Sequence, residues 1–141
     1  MNPTQLKRTL KKGGHVFGCM LSAMSCARFG PALSGGGIDY AVIDSEHSSR
    51  DRAEIQVLCT MLRAADVTPI VRVPVPKAEW VAMAIDAGAA GILVPYCEDV
   101  DDVRAVVATA KWHPLKGAYL DRKSTRLNSS HSQQSRMPSS A

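Results

Sequence analysis

The sequence predicts an α/β fold with a parallel sheet: the first four βα units of a (β/α)8 TIM barrel, then a disordered C-terminal tail. Three observations predict it. Four short apolar runs alternate with stretches of helical period, as strands do when crossover helices join them. The second and third runs deliver charge at or near their C-terminal ends: Tyr40 to Asp44 leads into Ser45, Glu46 and His47, and Pro69 to Val73 carries Arg72. No G-x-G-x-x-G follows the first run, and Gly35-Gly36-Gly37 precedes a strand instead of following one, so a dinucleotide site is weakly supported. Alternation alone allows an open doubly wound sheet or part of a barrel. Polar residues at successive strand ends fit the barrel better.

The elements follow in order. Thr4 to Lys12 reads as a short, basic, amphipathic helix broken by Gly13-Gly14. His15 to Leu21 is the first strand. Ala27 to Leu33 reads as helical despite Pro31, and the three glycines at 35–37 stop it. Asp39 to Asp44 is the second strand, bounded by those glycines and by polar Ser45. Ser48 and Ser49 are N-cap candidates, with Asp51 at capping-box spacing from Ser48. The helix after them puts Ile55, Leu58, Cys59, Leu62 and Ala65 on one face. Thr68 to Val73 is the third strand. Pro76 can open the next helix, with Val81, Ile85 and Gly88 in its period. Gly91 to Pro95 is the fourth strand. Glu98, Asp99, Asp101 and Asp102 place negative charge at a helix N-terminus, where the dipole favours it. Val103, Val106, Val107 and Ala110 continue that helix inward.

Bulk properties bound the function. The 141 residues, 45% of them hydrophobic, make one globular domain or part of one. No apolar run reaches the ~18 residues of a membrane span, and no apolar core follows the basic N-terminus as in a secretory signal. The net charge of +4 does not signal nucleic-acid binding. Residues 121–141 supply +3 of it, and no basic stripe with interleaved aromatics marks the rest. Cys19, Cys26, Cys59 and Cys97 include no C-x-x-C pair, so they read as small buried hydrophobes in a reducing, cytoplasmic setting and not as a zinc site.

Composition changes after Leu120. Residues 121–141 hold seven serines and no apolar periodicity, as a disordered tail does. Asp121 to His131 also resembles the translation of a common high-throughput sequencing adapter. The expectation is a domain over 1–120 and a non-native segment over 121–141, whose His131 and arginines have no functional role.

The chemistry concentrates in Asp44-Ser45-Glu46-His47. Two carboxylates and an imidazole at a strand end can supply a general base, its orienting partner and a possible metal contact. The bland alternative is a capped turn with solvated charges. Arg72 reads as an anion clamp or as a buried ion-pair partner, with Asp44 the candidate. His15, His113, Trp80 and Met83 read as structural.

Three segments resemble the N-terminal half of the class II pyruvate aldolases, which act on 4-hydroxy-2-oxoheptanedioate, 2-dehydro-3-deoxyglucarate and related 2-oxo acids. They are Gly37 to His47, Val71-Arg72-Val73-Pro74, and Asp86 to Pro95. The resemblance runs from about Leu6 to Tyr119. It implies a (β/α)8 barrel of roughly twice this length. It further implies a divalent metal such as Mg2+, pyruvate and an aldehyde as reactants, and a homo-oligomer for the intact member. By this resemblance His47 is the catalytic base, Asp44 the carboxylate that orients it, and Arg72 the clamp on the keto acid and its enolate oxygen. Glu46 contributes to the metal's outer shell. The family's metal-binding Glu and Asp lie on later strands, and no ligand is identifiable here. Aldol cleavage is therefore not expected of the chain as written. A citramalyl- or malyl-CoA lyase type of the same superfamily and a non-catalytic fragment are the alternatives.

Overall fold

Four strands, β1 (Gly18–Leu21), β2 (Tyr40–Asp44), β3 (Thr68–Arg72) and β4 (Gly91–Leu93), lie side by side in chain order, all parallel. The computed structural model describes residues 1–24, 26 and 28–112. Helices α1 (Pro3–Lys11), α2 (Phe29–Leu33), α3 (Arg52–Ala64), α4 (Ala78–Asp86) and α5 (Val100–Trp112) alternate with the strands. The order decides between the two sheet types that alternation allowed. A doubly wound sheet reverses direction at a switch point, whereas a barrel adds each strand beside the last. The described strands follow the barrel rule, and the chain folds as a partial (β/α)8 barrel. The expected boundary at residue 120 and the expected tail lie outside the described residues.

Alternation along each strand sorts side chains to two faces. Leu21, Ala41, Ile43 and Val71 meet Ile55, Leu58, Cys59 and Leu62 of α3 and Met83 and Ala84 of α4 in one buried cluster. The opposite set includes Met20, Val42 and Ile70, which share one register row, and then Asp44, Arg72 and Leu93. Met20 and Leu93 are exposed on this side. The charged strand ends therefore project to the face away from the helices.

Several expected boundaries move, each for a local reason. The first strand starts at Gly18, not His15. The Tyr40 ring lies over Gly18, so closely that a Cβ there would sit 2.3 Å from it. The cap of α3 is Asp51, which accepts the Glu54 N–H at 2.8 Å. Ser48 does not cap; its hydroxyl donates to the Asp44 carbonyl. Pro76 stands two residues ahead of α4, whose N-cap is Lys77. Gly88 lies past the end of α4 at φ +99°, a conformation that suits glycine. On α5 only Val106 of the expected inward stripe is buried, joined by Ala108 and Thr109. This helix packs on α4 through one narrow face, which leaves Val103, Val107 and Ala110 exposed. The expected start of α2 at Ala27 falls outside the described residues, and the helix begins at Phe29. Asp99 behaves as expected and accepts the Asp102 N–H at 2.7 Å.

Candidate active site

Asp44 and Arg72 are the last residues of β2 and β3 and are register partners. Arg72 Nε donates to Asp44 Oδ1 at 2.9 Å and Nη2 to Oδ2 at 2.8 Å. This two-pronged geometry matches a guanidinium to a carboxylate. Asp44 is 1% exposed, and Oδ1 also accepts the backbone N–H groups of Glu46 (3.0 Å) and His47 (3.3 Å). Its pKa is lowered to about 2, chiefly by Arg72 and further by those two N–H groups, against the opposing effect of burial. Asp44 in turn raises the Arg72 pKa.

Glu46 sits between the other two charged side chains. Arg72 Nη1 is 3.1 Å from Glu46 Oε2, and His47 Nε2 is 3.3 Å from Glu46 Oε1. The Arg72 contact is an ion pair off the hydrogen-bond direction, which leaves buried Oε2 without a well-directed donor. Tyr96, three residues past β4, extends the cluster. The Glu46 carboxylate, as hydrogen-bond acceptor and as negative charge, pushes the Tyr96 hydroxyl up, burial adds to this, and Arg72 opposes it. Tyr96 holds φ +54°, unusual for a non-glycine residue.

The sequence-predicted residues are thus brought together, but in a different pattern. Asp44 does not reach the His47 imidazole; it accepts the His47 backbone N–H and spends its carboxylate on Arg72. Glu46 is the carboxylate beside the imidazole, whose side chain is 66% exposed. The physical reason is the turn after β2. Two successive N–H groups fold back on Asp44, and that curls the chain and swings the His47 ring away from it. Tyr96 was not expected. Its position just past a strand end, where the other site residues also lie, was the available signal.

The described residues do not by themselves fit a divalent metal. No group of three or more His, Cys, Asp or Glu is arranged to hold one among them. Both Asp44 oxygens are committed to Arg72, and Glu46 faces the same guanidinium.

Residues 23–127 match the family described as HpcH/HpaI aldolase/citrate lyase. The chain belongs to this family. Asp44, Glu46, His47, Arg72 and Tyr96 all fall inside the match. Among the HpcH/HpaI relatives, the chain is 32% identical to a hydroxypyruvate/pyruvate aldolase of Roseobacter denitrificans, over 77% of this chain and 42% of that protein. It is 29% identical to a 4-hydroxy-2-oxo-heptane-1,7-dioate aldolase of Salmonella paratyphi C, over 77% and 41%. The crystal structure of an HpcH/HpaI aldolase from Desulfitobacterium hafniense superposes with a TM-score of 0.70 at 31% identity, over 78% of this chain and 42% of that one. The chain thus spans less than half the length of these relatives.

Proposed function

We propose that the protein is a carbon–carbon lyase that cleaves a 4-hydroxy-2-oxo acid to pyruvate and an aldehyde. The observation that carries this reading is the buried Asp44–Arg72 pair at neighbouring strand ends, with Glu46 and an accessible imidazole on its solvent side. Arg72 supplies fixed positive charge where a keto acid and its enolate develop negative charge. His47, with its side chain 66% exposed beside Glu46, is the group of the cluster placed to act as the general base. Glu46 orients that ring, and Asp44 holds Arg72 flat and in register. The relatives' aldolase activities support the same chemistry. The divalent cation expected of the family would need donors from outside the described residues. A cytoplasmic setting and a homo-oligomer belong to this reading. The cysteines are free, and no described helix is long and apolar enough to cross a membrane.

Titration of isotope-labelled protein with pyruvate tests the half of the site that is described. The Arg72 guanidinium and His47 ring signals are expected to move together, and Arg72→Ala to abolish the response. Pyruvate that binds without touching either signal, or not at all, would remove the basis for the assignment. Cleavage of a 4-hydroxy-2-oxo acid, assayed in parallel with added Mg2+, is not expected of the described residues alone.

A further inference from the structure

Arg50 belongs to no part of the cluster above, yet its side chain is only 3% exposed. It lies in the turn from Ser45 to Asp51 that displays His47. Nη1 donates to the Asp44 carbonyl at 2.9 Å, and Nη2 donates to the Met24 carbonyl at 2.7 Å. Met24 lies in the loop after β1, so one guanidinium spans two strand-end loops. Its Nε lies 3.5 Å from Glu54 Oε1 in the first turn of α3; neither of those two buried atoms has a well-directed hydrogen bond.

The turn has other restraints, all toward β2 and β3: the Glu46 and His47 N–H groups donate to Asp44 Oδ1 at 3.0 and 3.3 Å. Ser45 is tied to the Arg72 carbonyl through its N–H at 3.1 Å and through its hydroxyl. Ser48 donates to the Asp44 carbonyl. These bonds fix the turn to β2 and β3, and Arg50 adds the tie to the β1 side. The Asp44 carbonyl therefore accepts from Ser48 and Arg50, the two residues that bracket the stretch just after His47. Removing this buried donor leaves the Met24 carbonyl short of a partner and the Asp44 carbonyl with Ser48 alone, and errors of about 1 Å in a catalytic group cost heavily in rate.

We propose that Arg50 is a positioning residue for His47, locking the imidazole-bearing turn after β2 to the loop that follows β1. The inference deepens the lyase reading, on which its catalytic meaning rests. It predicts a division of labour. Loss of Arg50 frees the His47 ring but leaves the Asp44–Arg72 clamp intact, because that clamp uses the Asp44 carboxylate and not its carbonyl.

The experiment compares the full 141-residue chain with Arg50→Gln and Arg50→Lys, using His47 ring signals in the absence and presence of pyruvate. In Arg50→Gln the pyruvate-free ring signals are expected to broaden by about twofold or to split, as the turn samples more than one arrangement. The Arg72 signals and pyruvate affinity should stay near wild type, with Arg50→Lys intermediate. Unchanged His47 signals in a folded Arg50→Gln protein would overturn the proposal, as would loss of the Arg72 response in step with them. If Arg50→Gln does not fold, the wild-type Arg50 guanidinium protons decide. Slow exchange with cross-peaks to Met24 supports the staple; exchange at the rate of an exposed arginine refutes it. Failure of pyruvate to bind would count against the lyase reading alone, since the pyruvate-free ring signals still report on Arg50.

Discussion

Arg72 meets Asp44 through two hydrogen bonds between the ends of neighbouring strands, and the same guanidinium reaches Glu46. One cation thus faces two carboxylates at the centre of the site. Replacing Asp44 with Asn breaks a buried pair and is expected to cost about 3 kcal/mol of stability. Denaturant melts of the variant check this. A loss below about 1 kcal/mol would mean the pair behaves like an exposed one.

The same pair sets a pH dependence. The Asp44 pKa is depressed in the folded state, from 3.8 to about 2. Its contribution is therefore fully present above pH 3.8 and is lost as pH falls through about 2. The loss is at most about 2 kcal/mol. Thermal melts in steps from pH 5 to the acid limit should show that decline, and Asp44→Asn should flatten it.

Gly18 lies beneath the Tyr40 ring with no room for a methyl group. Gly18→Ala should destabilise by about 1–3 kcal/mol through overpacking. Combining it with Tyr40→Leu should recover part of the loss. Additive losses in the double variant would show that the two side chains do not compete for that space.

The four thiols differ in access. Cys26 and Cys97 are exposed, contrary to the expectation that all four are buried, and Cys59 is buried with its thiol pushed up to about 11 by desolvation. Timed alkylation at pH 8 with mass spectrometry should label Cys26 and Cys97 first and Cys59 last. Early labelling of Cys59 would indicate that α3 does not stay seated on the sheet.

Asp51→Ala should cost about 1 kcal/mol by uncapping α3, whereas Ser49→Ala should leave the melting temperature unchanged. Equal effects from the two substitutions would return the cap to the serine cluster.

Much of this was legible in the sequence because apolar runs and helical periods report burial directly. All four strands and the packed face of α3 follow from Leu21, Ile43, Val71, Ile92, Ile55, Leu58 and Leu62. The suggestion that Arg72 pairs with Asp44 also holds. What was not legible depends on where the backbone curls. Ser48, Ser49 and Asp51 all carry side chains suited to capping, and only the path of the turn shows that Asp51 does it. The Asp44–His47 spacing permitted a direct contact that the turn prevents. Tyr96 carries only the weak mark of following a strand end, and Arg50 reaches the supports of the site from a segment whose local pattern carries no mark of it. The buried face of α5 is narrower than its periodicity implies, because periodicity does not report how wide a face the neighbours cover.

Among the described residues, the parallel strands pair only with the strand just before or after them in the chain. Gly18 meets Tyr40, Tyr40 meets Thr68 and Ile70 meets Gly91. Each partner is thus one βα unit away, and every closure in the described sheet spans a loop of similar, modest length. A chain emerging from the ribosome would have the preceding partner of each strand after β1 already made when that strand appears. The sheet can therefore be laid down in the direction of synthesis, and the Asp44–Arg72 pair would form as soon as the third strand docks.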